Sequence, residues 1–130
     1  MSSIIKKYIS PDDELTFKVI FDGEDITLGF EKTGFEGFGC HTHGDILASE
    51  NNKTPKEAAN LFIDDLLSDR ILIVIRHKEN EKEVLFTCTP ENELKYKQKD
   101  EELEFRFWSG SKIHKNQEIL TNNVQWKYFP

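Results

Sequence analysis

The sequence predicts a single α+β domain, a mostly antiparallel sheet of about six to seven strands with one main helix packed on one face. Three observations carry this reading. Short runs of β-branched and aromatic residues recur along the chain, separated by turn residues. Only residues 54–67 place their apolar side chains at helical spacing. The links between strands are short, as hairpins allow and parallel crossovers do not. The chain has 130 residues, enough to bury a core without metals or disulfides. Residues 1–130 are therefore read as one domain, with a polar lead over 1–14.

Residues 16–21 (TFKVIF) open the sheet. Asp22-Gly23-Glu24-Asp25 is a turn signal, and residues 26–31 (ITLGFE) return as the second arm of a hairpin. Residues 33–39 hold three glycines and two phenylalanines and read as a loop or an irregular strand start. The next strand carries CHTHGDIL. The helix comes next, with a capping threonine at Thr54, a proline at Pro55 and a glutamate at Glu57, the pattern of a capping box. Behind it Ala58, Ala59, Phe62, Ile63, Leu66 and Leu67 make one apolar face, while Asn60, Asp64, Asp65 and Ser68 lie largely opposite. The helix should end near Asp69.

Residues 71–75 (ILIVI) form a short, β-branched, continuous apolar run, which marks a central strand. HKENEKE turns the chain and residues 84–89 (VLFTCT) return as the partner arm. Residues 90–102 are highly charged and read as a loop or a short helix. Residues 103–107 (LEFRF) alternate strictly, so one face of that strand should be wet. Ser109-Gly110-Ser111 is a further turn, and residues 124–129 (VQWKYF) are the last strand.

Composition narrows function mainly by exclusion. The formal net charge is −7, and so acidic a domain repels a phosphate backbone, which argues against nucleic acid. The alternating lysines of KYKQK sit beside the acidic DEELE, a self-neutralising surface. Cys40 and Cys88 form no CxxC pair and read as thiols of an intracellular chain. The N-terminus lacks a signal-peptide core and no apolar run reaches membrane-spanning length. The expectation is a soluble, cytoplasmic protein.

HTHGD is the one stretch that spells out chemistry. On a strand, His41, His43 and Asp45 share a face at about 7 Å spacing, and Cys40 and Thr42 take the other. Two imidazoles and a carboxylate suit zinc or iron. The HxH spelling is similar to the opening of amidohydrolase barrels, but those need roughly 250 residues. His77 and His114 lie in charged surroundings and offer no further ligands. Cys40 and His41, being adjacent, point to opposite faces and form no dyad. SGS lacks a nucleophile elbow, and GFEGFG does not run directly into a helix as a phosphate loop would. No catalytic set and no cofactor is expected. A small metal-binding module or metal-dependent enzyme on His41, His43 and Asp45 stands as the alternative reading.

GFGCHTHGDIL, then TPKEAANLFIDDLLSDRILIVI, then a hairpin and EFRFWSG, resembles a group of small bacterial proteins with an HTH strand ahead of a capped helix. Many of these are immunity proteins for polymorphic toxins, including those of contact-dependent growth inhibition. The resemblance spans residues 35–110, and Cys40 stands where such an HTH usually carries tryptophan. It implies a protein that binds and neutralises one cognate toxin domain, a basic nuclease, by covering its active site or substrate surface. In that role Asp22, Glu24 and Asp25, or Glu36, would meet toxin lysines and arginines. An exposed aromatic, Trp108 or Trp126, would serve as an anchor.

Overall fold

The computed structural model describes residues 3–23, 25–31, 38–79, 81–87, 93–95 and 97–129. Among these it holds ten strands and two helices, and every strand pairing is antiparallel. The α+β antiparallel expectation therefore holds. The strands form three sheets, of orders β1-β2-β3-β4, β6-β5-β7-β8 and β10-β9. The chain divides into two compact units, residues 1–64 and 65–130, the division falling inside helix α2. Among the described residues no helix is long and apolar enough to cross a membrane.

The first unit starts with β1 (Ile4–Ile9), β2 (Thr16–Asp22), β3 (Asp25–Glu31) and β4 (Phe38–His43). Strand β1 falls within the stretch that the sequence suggests is a polar lead. Its IIKKYI has no dry face of its own, and it is a strand because β2 supplies an unbroken ladder from Ile4↔Phe21 to Ile9↔Thr16. The predicted hairpin is present, with Asp22 opposite Asp25 and Gly23 at a φ of 63° that favours glycine. Register sets Phe17 beside Phe30 and Val19 beside Leu28, so Phe17, Val19, Ile26, Leu28 and Phe30 share one buried face. Phe17 stacks on Phe62 of α2 (Pro55–Leu67), which puts that helix over this face.

Between them lies α1 (Gly44–Asn51), where the sequence suggests that the HTH strand continues. The extended chain stops at His43, and Asn52 ends the helix in the left-handed conformation, its N–H bonded to the Ala48 carbonyl. The chain is closely approached at Gly44, where the direction changes. A Cβ there would stand 3.1 Å from Ile26 Cβ, 3.2 Å from the Pro55 carbonyl oxygen and 3.3 Å from Pro55 Cβ. Helix α2 begins as predicted. The Glu57 N–H donates to Thr54 Oγ1 and the Thr54 N–H donates to Glu57 Oε1, each at 3.2 Å. Hydrogen bonding to the carboxyl from the Thr54 hydroxyl, and from its N–H, holds Glu57 below its ordinary value. Ala58, Ala59, Ile63 and Leu66 are buried, whereas Leu67, predicted on the same face, is exposed.

The second unit begins with the end of α2. Arg70 N–H reaches the Asp65 carbonyl and Asp69 N–H the Leu66 carbonyl, a Schellman stop with Asp69 at φ 62°. Then come β5 (Leu72–Lys78), β6 (Glu81–Thr87), β7 (Glu101–Arg106), β8 (Lys112–Ile113), β9 (Gln117–Thr121) and β10 (Val124–Tyr128). ILIVI is the expected central strand, paired on both sides, with Leu72 to Ile75 buried. Leu72, Val74, Phe105, Phe107, Ile113 and Trp126 form the core. Strand β9 is an addition to the elements the sequence predicts. Asn122 and Asn123 both have positive φ and join Thr121 to Val124 as a two-residue hairpin loop. Arg106, expected on a wet face, is 2% exposed. Its guanidinium donates to the Phe107 and Trp108 carbonyls, which is how its charge is tolerated inside.

Asp69 ties the end of the helix to the turn after β7 and to the β9–β10 hairpin. Its carboxylate accepts from the Ser109 N–H at 3.0 Å and the Ser109 hydroxyl at 2.6 Å. Its carbonyl accepts from the Thr121 hydroxyl at 2.7 Å, and Thr121 in turn accepts from Trp126 Nε1 at 2.9 Å.

Two stability predictions result. Gly44→Ala gains helix propensity but meets backbone-anchored atoms, so urea denaturation should show a loss of about 1–2 kcal/mol; an unchanged midpoint would remove the close-approach argument. Asp69→Gly keeps the left-handed turn and loses the carboxylate, and should cost about 1 kcal/mol. Asp69→Ala loses both and should cost about 2 kcal/mol by the same measurement. Equal losses would mean that the backbone conformation contributes nothing.

Candidate partner-binding surface

The acidic hairpin tip is where the sequence places it. Asp22 and Asp25 are exposed and face each other across the β2–β3 turn. Glu24 and Glu36 lie outside the described residues, as does Cys88. The neighbouring acidic run is in part structural. Ser10 is buried, its hydroxyl donates to Asp12 Oδ1 at 2.7 Å, and the Glu14 N–H donates to the same oxygen, so Asp12 shapes the β1–β2 turn.

The two tryptophans do not serve as exposed anchors. Trp108 is 5% and Trp126 8% exposed. Trp126 packs against Phe107 with ring centroids 5.6 Å apart, and its N–H is satisfied by Thr121. Strand alternation in VQWKY and the turn after β7 direct both indoles inward, because the aromatic bulk is needed to fill a small core.

Exposed apolar side chains occur singly on α1, α2, β9 and next to β10 (Ile46, Leu61, Leu67, Leu120, Phe129), and three of them fall together on one strand, β1. Ile4, Ile5 and Ile9 are 61%, 56% and 62% exposed. β1 is an outer strand of its sheet, and each residue from Ile4 to Ile9 is paired on its β2 side. Lys6 lies 5.7 Å from the Phe21 ring centroid, and Lys7 pairs with Glu31 at 2.7 Å. Lys18 lies 3.9 Å from the same carboxylate. The sequence signal for this surface is IIKKYI itself, apolar at both ends and basic in the middle.

The HTHGD residues are split by the turn into α1. His41 and His43 do share a face, with ring centroids 5.2 Å apart at right angles. His43 Nδ1 is hydrogen-bonded to the Thr27 hydroxyl at 3.4 Å. Thr42 lies on the opposite face, opposite Leu28 in register; the Cys40 side chain is outside the described set. Asp45 is no longer on the strand. It sits in the first turn of α1, and its carboxylate accepts from the Ile46 N–H at 2.9 Å. Among the described residues no group of three or more His, Cys, Asp or Glu side chains is placed to hold a metal ion.

In the second unit a cleft of about 310 Å³ is lined by Glu104, Phe105, Lys112, His114, Lys115 and Tyr128 among others. Glu104 organises its polar side. His77 Nε2 donates to Glu104 Oε1 at 3.1 Å, and Lys112 Nζ lies 3.3 Å from Oε2. Burial by itself raises the Glu104 carboxyl, but the bonds and charges from His77 and Lys112 outweigh it, and the net direction is below the ordinary value of 4.5. A depressed carboxylate stabilises the folded state above its ordinary range, and that contribution is lost as the pH falls through the folded value. Glu104→Gln should therefore lower stability at pH 7 by under about 1 kcal/mol, given its partial exposure. The difference from the unmodified chain should shrink as the pH falls below the ordinary carboxylate range in paired urea titrations; a pH-independent difference would contradict it.

No known protein family matches this chain, nor does any curated protein or solved structure.

Proposed function

We propose that the protein binds and neutralises a cognate bacterial toxin domain, as the resemblance to contact-dependent growth inhibition immunity proteins implies. The observation that supports this reading best is the exposed β1 strand, with three isoleucines in solvent and its Ile4 end next to the acidic β2–β3 tip. Ile5 and Ile9 flank Lys7 on one face of the strand and Ile4 stands on the other, so the edge carries exposed aliphatic side chains interleaved with charge, a mixture found at interfaces. The partner is a basic nuclease domain. Asp22 and Asp25 take the place of the phosphates that such an enzyme attracts, steering the encounter. Ile4, Ile5 and Ile9 supply the desolvated contact that the two tryptophans, being buried, do not. Binding over the substrate surface then blocks access without any chemistry by this chain.

The test is co-expression with the toxin domain encoded by the adjacent reading frame. A stable complex and relief of toxicity are expected. Asp22→Lys/Asp25→Lys should slow association about tenfold at low salt and flatten its salt dependence, with little change in the dissociation rate. Absence of both complex and relief would end the reading.

A further inference from the structure

Strand β1 has two properties that together say more than exposure does. It forms one edge of the β1-β2-β3-β4 sheet, and among the described residues nothing pairs with its outer side. It is also continuous: six residues without proline, in register with β2 from end to end. Alternate residues of such an edge turn their N–H and C=O groups outward, a template for one more strand.

We propose that this edge accepts an extended acidic segment of a partner protein by strand addition. The proposal deepens the neutralisation reading and rests on it only for the partner's identity. The occupant is chosen by charge. Lys6 and Lys7 stand in the middle of β1, flanked by Ile4 and Ile5 on one side and Ile9 on the other. Lys6 and Lys7 lie on opposite faces of the strand. With Lys18 on the neighbouring β2, paired beside Lys7, there are three lysines against one carboxylate, Glu31, which lies 2.7 Å from Lys7 and 3.9 Å from Lys18, so this part of an otherwise acidic chain keeps a net positive charge. An added strand with two successive carboxylates presents one to each lysine of β1, and apolar neighbours on either side cover the isoleucines.

The same lysines exclude a second copy of this chain. Antiparallel pairing of β1 with itself sets Lys6 against Lys7 when Ile4 faces Ile9. A shift of one residue sets Lys6 against Lys6 or Lys7 against Lys7. Like charges directly opposite destabilise a strand pair, and edge lysines are a common guard against self-pairing. A guard against copies of itself is at the same time a selector for acidic strands.

The experiment uses the full chain and fluorescein-labelled peptides read by anisotropy. One peptide has the core Thr-Val-Glu-Glu-Thr-Val, one carries Lys-Lys in place of Glu-Glu, and one is the Glu-Glu form N-methylated at alternate amides. The Glu-Glu peptide should bind at least about tenfold tighter than the Lys-Lys peptide. N-methylation should abolish binding, and Lys6→Glu/Lys7→Glu should invert the preference. Equal binding of both charge forms, binding that survives N-methylation, or no saturable binding of the Glu-Glu peptide would overturn the proposal. So would a dimer in light scattering that Ile5→Lys abolishes, which would make the occupant a second copy. The toxin co-expression result is read separately: relief of toxicity with negative peptides removes the β1 proposal and leaves the neutralisation reading standing, and the converse holds.

Discussion

Among the described residues the ring of Phe17 meets Phe30 at 5.5 Å, Phe62 at 6.1 Å and Tyr8 at 6.4 Å between centroids. Through these contacts one fully buried side chain on β2 joins β3, helix α2 and the edge strand β1. Burying an aromatic of this size is worth several kcal/mol, which matters for β1 above all. That strand's other side chains are exposed, and Tyr8 alone is half-buried. β1 is thus held by its ladder to β2, the Tyr8–Phe17 contact, the Lys7–Glu31 pair and Lys6 over Phe21, all on its inner side, which leaves its isoleucines exposed and its far edge unpaired among the described residues. The exposed surface is a consequence of where the aromatic core ends.

The parts of the fold legible in the sequence are those where local chemistry and tertiary packing agree. Thr54, Pro55 and Glu57 name a helix start because the capping bonds are local, and they form as written. ILIVI names a central strand because no other element of that length is apolar all round. The DGED turn names a hairpin because Gly23 supplies the positive φ. The illegible parts depend on partners distant in sequence. IIKKYI becomes a strand only because β2 is there to pair with it. HTHGD stops being a strand at Gly44, where Ile26 and Pro55 approach closely enough that a Cβ would crowd them, a contact with distant residues that GDILASEN does not spell. The β9–β10 hairpin lies between these cases: Asn122-Asn123 suits its loop, but the weakly apolar QEILT ahead of it does not announce a strand.

Candidate chemistry was legible to a smaller degree. Alternation correctly places His41 and His43 on one face, and it fails for Asp45 because alternation ends where the strand does. It fails again at Arg106, where strict alternation implies a wet side chain. The guanidinium is instead taken up by two main-chain carbonyls, Phe107 and Trp108. A strand pattern reports which residues share a face and says nothing about which faces the rest of the chain will cover. The tryptophans illustrate the same point from the other direction: aromatic residues that could anchor a partner are as readily consumed by a core that needs them.

The acidic tip and the basic edge belong to one surface, and their order along it is fixed. The register Ile4↔Phe21 sets the Asp22 turn one residue beyond the Ile4 end of β1. A ligand strand lying along β1 with its carboxylates at Lys6 and Lys7 therefore projects, at the Ile4 end, toward Asp22 and Asp25. Basic residues of the partner are favoured there and acidic ones repelled. Under the proposed strand addition, the partner's charge pattern would run basic, then apolar, then acidic, then apolar, read from the Ile4 end. A partner that is basic overall and presents one acidic strand satisfies both ends at once, whereas a uniformly basic surface gains at the tip and loses along the edge. Specificity in this arrangement comes from the alternation of sign, since each end of the surface penalises what the other attracts.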